Sequence, residues 1–269
     1  MMTMTPTFIL AGLAASPPTF VWWGRDEHTG STRFPTPLLR RMDLKTSNGF
    51  ITLCAGTVMW GAYRLQGRDE HVRTALQLAE AAFAYQVDWR YVDRDAVDLR
   101  IPPGVSPTSG ALLELCLFLW RCLDHEKYWE NYYSPILETF HAAHLARHML
   151  PRDVRPAFGR WVEVIIARLN IFAEKPDEAV AQAEDFPTVE DWKRFAAGHR
   201  GRPLPPEFLD GPQPTMLLAA EPQQRMDRAV DRHLRQLDWI GNPFLRTPDE
   251  MRALGFVGEP YVYEQGEAP

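Results

Sequence analysis

The stretch "ALLELCLFLWRCL", residues 111 to 123, decides how this chain is read. It is apolar except at Glu114 and Arg121, and it is rich in leucine. A run of that length exceeds an ordinary strand of about 5–6 residues and predicts the central buried helix. It also falls short of the ~20 apolar residues that a membrane helix needs. Upstream, "NGFITLCAGTVMWGAY", residues 48 to 63, has the same character. It closes at Gly67, and a helical pattern follows through Val72, Ala75, Leu76, Leu78, Ala79 and Ala82. Two helices are expected here, with a strand around Thr52, Thr57 and Val58 as the alternative.

Working outward, residues 94 to 109 form a loop containing Pro102, Pro103, Gly104 and Pro107. Ser134 followed by Pro135 marks a helix start. "RPAFGRWVEVIIARLNIFA" places Phe158, Trp161, Val162, Ile165, Leu169 and Phe172 at three and four spacing, an amphipathic helix. Thr188 with Asp191 predicts a short capped helix ending near Gly198. After a Pro and Gly loop comes a charged helix over 222–240, with Met226, Ala229, Val230, Leu237 and Ile240 expected inward. Thr247, Pro248 and Glu250 cap a last turn or two. The expected fold is mainly α, an irregular multi-helix bundle of seven to nine helices. Residues 1–48 read as an extended N-terminal arm and 49–200 as the helical core. Residues 201–269 read as a loop, an amphipathic helix and an extended C-terminal tail packed on that core.

Composition narrows the function. The chain of 269 residues is 45% hydrophobic and 24% charged, with both signs mixed and a formal net charge of -6. It offers no basic field to attract nucleic acid. Cys54, Cys116 and Cys122 are an odd number of cysteines, which suggests a reducing compartment and a cytoplasmic location. The amino terminus lacks the basic start of a secretory signal. There is no phosphate loop, G-x-S-x-G elbow, C-x-x-C pair or H-E-x-x-H.

One segment carries candidate chemistry. "ETFHAAHLARHML", residues 138 to 150, sets Glu138, His141, His144 and His148 at spacings that share a helical face. His144 and His148 are one turn apart, as a chelating pair would be, so the functional reading of this face is a transition-metal site. Glu138 with His141 resembles the Glu-x-x-His element of carboxylate-bridged di-iron bundles, a resemblance of four residues with no second copy in the chain. Glu114, Asp124 and His125 are the donors that could complete it, Glu114 and His125 sharing a helical seam with Arg121. Leu137 and Phe140 lie on the same side of the histidine helix, so the competing reading is a packing face.

Two further patterns read as structure. "GRDEH" occurs at Gly24 to His28 and at Gly67 to His71, where it serves as a turn between helices. Asp88, Asp93, Asp95 and Asp98 stand among Arg90 and Arg94 as a self-paired loop, without the glycine and terminal glutamate of an EF-hand. Nine tryptophans, eight tyrosines and fourteen phenylalanines are a heavy aromatic load. Those in the extended ends, Phe20, Trp22, Trp23, Phe34, Tyr261 and Tyr263, suit protein interfaces. The expected function is a non-catalytic interaction or structural protein, a subunit of a phage-, secretion- or homo-oligomer-like assembly, docking on partner proteins or on itself. The alternative is a metal-binding protein or metalloenzyme built on the histidine face.

Overall fold

The computed structural model describes residues 6–22, 37–42, 45–95, 97–123, 135–175, 185–210 and 221–258. Nine α-helices occur among them. They are α1 Pro37–Met42, α2 Ser47–Arg64, α3 Val72–Val87, α4 Pro107–Cys122, α5 Pro135–Met149, α6 Arg155–Phe172, α7 Val189–Gly198, α8 Pro222–Gln236 and α9 Pro248–Ala253. The described residues contain no strand, only two isolated antiparallel bridges, Lys45 with Glu174 and Val92 with Leu245. The fold is mainly α, and the run around Thr52 and Thr57 is helical.

The expected central helix is α4, but the hub is α2. Every residue of α2 after Ser47 is buried, and α3, α4 and α5 all pack on it. Its small residues explain why. Trp161 and Leu209 lie where a Cβ on Gly56 would stand, 2.8 Å from both, and the Leu115 side chain closes on Gly61. Neighbours therefore approach from all sides, and this helix has no polar face to give to water. The bulkier α4 leaves Leu117, Trp120 and Arg121 partly exposed.

Polar groups bind the irregular segments to this hub. Asn48 donates to the Gly201 carbonyl at 2.7 Å, Thr52 and Gln86 bond to each other, and the Leu204 amide donates to Gln86 Oε1 at 3.0 Å. The turn between α2 and α3 behaves as its sequence suggests: Gly67 has φ +73, and Asp69 accepts from the His71 amide and from Ser109 Oγ. Thr188 and Asp191 bond reciprocally at α7, and Thr247 with Glu250 forms a capping box at α9.

The arm residues 6–22 lie on their own body. Phe8, Ile9 and Leu13 are buried in the same core that reaches Met251 and Phe256. Phe8 stacks on Trp161 at 5.3 Å. Two arginines of the hub region hold five consecutive arm carbonyls: Arg64 donates to Leu13, Ser16 and Pro17, and Arg68 to Ala14 and Ala15. Trp22 covers Gly110 and donates its indole N–H to Glu114. Trp23, Gly24 to His28, Phe34, Asp124, His125, Ser134, Tyr261 and Tyr263 lie outside the described residues.

An inward position near the end of α8 also differs from expectation, and α1 lies within the segment read as an extended arm. Ile240, read as an inward position of a helix over 222–240, is 80% exposed. The helix stops at Gln236 and Leu237 is extended, so the 3.6-residue period no longer applies. Trp239 turns in instead, its Nε1 donating to the Leu234 carbonyl at 3.0 Å.

Three outcomes follow from this packing. Gly56→Val forces a side chain against the Trp161 ring and is expected to cost about 1–3 kcal/mol in chemical denaturation. Arg64→Met leaves three carbonyls without their cation; a loss of roughly 3 kcal/mol, with new protease cleavage within residues 6–22, is expected. The third concerns His233, whose ring edge meets Phe83 at 5.7 Å and whose Nε2 lies 3.3 Å from the Glu80 carbonyl. Burial pushes its pKa down to about 4, against the raising pull of the Glu80 carbonyl and Glu207. The unfolded chain takes up this proton near pH ~6.5 and the folded chain does not. Stability should therefore fall as pH drops from about 6.5 to 4, by up to about 3 kcal/mol, and His233→Gln should flatten that limb.

Candidate metal centre

Helix α5 begins with Pro135 and uses Ala142, Ala143 and Ala146 to lie close against α2. Thr139, fully buried between them, donates to the Phe50 carbonyl at 3.3 Å and sits 3.7 Å from Cys122 Sγ. That packing fixes the rotation of α5, and the rotation separates the four candidate ligands.

Glu138 is buried and points to Arg121 of α4, 3.6 Å from Nη1, as an ion pair between two helices. His141 is buried between aromatic rings, 5.6 Å from Phe118 and 5.8 Å from Phe140 by centroid. His144 is exposed, with one ring face over Phe140 at 6.2 Å. Desolvation, then the neighbouring His148 and Arg147, lowers its pKa. His148 is half-buried and holds the arm: its Nε2 donates to the Val21 carbonyl at 2.8 Å, and Phe20 meets its ring edge-on at 6.1 Å. These residues share one side of the helix, yet the different neighbours around it place them in an ion pair, between aromatic rings, in solvent and on the arm.

Of the possible outside donors, Glu114 is 1% exposed and accepts the Trp22 indole N–H. The seam it shares with Arg121 thus faces polar neighbours, the arm and α5. Among the described residues, no three His, Cys, Asp or Glu side chains come together as a metal would require. A ligand set using all of Glu138, His141, His144 and His148 would need Asp124, His125 or another residue outside those described, together with turned rings.

The aspartate loop is paired through Arg90, as its sequence suggests, and through Arg100 and Arg246. Asp88 holds Arg90 at 2.6 Å, Asp98 holds Arg100 at 2.6 Å, and Asp93 lies 3.8 Å from Arg246. Arg94 lies over the Trp120 ring instead, 5.7 Å from its centroid. The three cysteines form no disulfide and are buried. Desolvation pushes the Cys116 thiol up to about 12 and raises Cys54 well above the usual thiol range, so neither is an activated nucleophile.

Neither a family model, nor a characterised protein, nor a solved structure matches this chain. The feature that sequence reading missed is a set of exposed apolar side chains flanking a buried aromatic cluster. Tyr91 packs on Trp239 and Phe256, with ring centroids 5.2 and 5.3 Å apart. Around this buried cluster Trp89, Ile240, Leu254 and Val257 are exposed at 42%, 80%, 45% and 54%. Each stands one or two residues from a ring of the cluster, but in three separate segments. No period in the sequence joins them.

His148→Ala removes the contact to Val21 and is expected to cost about 1 kcal/mol while loosening the arm, read as faster amide exchange in residues 18–22. Elemental analysis of the untagged protein beside a His144→Ala, His148→Ala variant decides the metal question. Trace metal in both is expected from the present geometry. A stoichiometric ion lost in the variant would place the missing ligands among the residues outside those described.

Proposed function

We propose that this chain is a non-catalytic helical interaction protein, a subunit of a larger protein assembly or homo-oligomer, acting in the cytoplasm. The observation that carries the reading is the exposed rim of Trp89, Ile240, Leu254 and Val257. Large apolar side chains exposed around a buried aromatic cluster are the usual core of a protein interface, tryptophan above all. A rigid base supports this rim. The Arg90 guanidinium lies 4.4 Å over the Phe256 ring, and Arg246 and Asp93 make backbone bonds to the partner segment. Docking falls to the C-terminal end because arm residues 6–22 are already engaged with their own core, Phe20 and Trp22 included. Tyr261 and Tyr263 follow Gly258 in the sequence. No helix among the described residues is long and apolar enough to cross a membrane.

The test is quantitative affinity capture from the source cells with the wild type and a Trp89→Asp, Ile240→Asp variant, beside sedimentation of each for self-association. Both positions are exposed, so the variant should keep its thermal midpoint. Partner chains, or a dimer, present with the wild type and reduced at least about tenfold in the variant support the reading. Equal retention by both, or a wild type that stays monomeric and captures nothing, removes it.

A further inference from the structure

The outer face of α8 carries a charge pattern that the fold uses only at Arg232. Met226, Ala229 and Leu234 are buried against the body. On the opposite side Arg225, Arg228, Arg232 and Arg235 succeed one another at spacings of three, four and three, all exposed. Such spacings stack side chains in one ridge, here about 15 Å from first to last. Arg232 pairs with Glu207 at 2.7 Å. Arg228 reaches only the Gln224 amide oxygen, at 3.4 Å. Arg225 and Arg235 make no ion pair or side-chain hydrogen bond among the described residues.

This ridge works against its own helix. Like charges one turn apart repel, and no acidic residue occupies the first turn, where the helix dipole favours one. Stability does not account for four arginines and no lysine here, in a chain whose net charge is -6. Asp227 and Asp231, which might have interleaved with them, fall along one edge, where Asp227 accepts from Gln223.

We propose that the ridge docks an acidic segment of a partner protein, its Asp or Glu carboxylates taken by the guanidinium forks of Arg225, Arg228 and Arg235. This inference rests on the reading of the chain as an interaction protein and names the chemistry of the partner. Guanidinium is planar and matches a carboxylate with two parallel bonds, which a lysine ammonium does not. The flanking carboxylates choose between anions. Glu221 lines the hollow at the amino end of the ridge, beside Gln224, Arg225 and Arg228. With Asp227 and Asp231 along the edge and a negatively charged body behind, a continuous polyphosphate or an anionic bilayer meets repulsion wherever it extends past the ridge. A peptide sets separate carboxylates opposite the arginines alone.

The test is fluorescence anisotropy with the full chain and three probes: a short labelled poly-glutamate peptide, a labelled DNA duplex, and vesicles of phosphatidylserine in phosphatidylcholine. The peptide should bind most tightly and weaken with added salt. An Arg225→Gln, Arg228→Gln, Arg235→Gln variant should lose about tenfold or more in peptide affinity while its thermal midpoint stays level or rises, since repulsion is relieved. Equal peptide binding by wild type and variant overturns the proposal, as does tighter binding of the duplex or the vesicles. The same variant in the capture experiment separates the two readings. A partner kept by the arginine variant but lost by Trp89→Asp, Ile240→Asp ends the ridge proposal alone, and capture unchanged by either variant ends the broader reading as well.

Discussion

Everything in this fold depends on one helix that can be approached from every side. An ordinary surface helix buries a stripe and leaves the rest wet, so only two or three neighbours can use it. Helix α2 has glycine, alanine, threonine and cysteine where contact is closest, and each neighbour settles at a different azimuth. Threonine does this without an orphan hydroxyl: Thr52 and Thr57 donate to the carbonyls of Asn48 and Leu53 four residues back. These two hydroxyls are thereby satisfied within the helix, and apart from Asn48 and Arg64 at its ends its surface is largely apolar.

A hub of this kind leaves the non-helical segments to find their own attachments. They do so through long polar side chains that leave the helices and end on backbone groups. Arg168 donates to the Phe208 carbonyl at 2.6 Å and the Trp161 indole to the Leu209 carbonyl at 3.2 Å, fixing the short turn Pro206–Leu209 against α2 and α6. Gln77 and Asn242 do the same where the segment after α8 returns to α3. Burial lowers the pKa of Arg168 to about 10, which leaves it charged at neutral pH with its hydrogen bonds intact.

Much of the fold was legible in local sequence. The amphipathic period of α6, the glycine stop at Gly67, and the paired caps Thr188 with Asp191 and Thr247 with Glu250 all act at short range, and each residue does in space what its neighbours in sequence suggest. The choice of hub was not legible, because it depends on which of two apolar helices is thin enough to be surrounded. Nor was the fate of Glu138, His141, His144 and His148. A helical wheel gives their angular order, while Phe118, Arg121 and Val21, which decide what each one touches, come from other segments. Ile240 was misplaced for a related reason: its helix had already ended, and the indole of Trp239 took the inward position.

The arm shows a different kind of dependence. Arg64 and Arg68 grip residues 13 to 17 by main-chain oxygens, which every amino acid supplies. Leu13 is itself buried in the core, but recognition of the stretch from 14 to 17 is nearly blind to its side chains. Its composition is free to drift as long as the backbone keeps its curve, whereas the two arginines are not free at all. The attachment of residues 14 to 17 is written in α2 and the turn that follows it, while Phe8, Ile9, Leu13 and Trp22 anchor the rest of the arm by their own side chains.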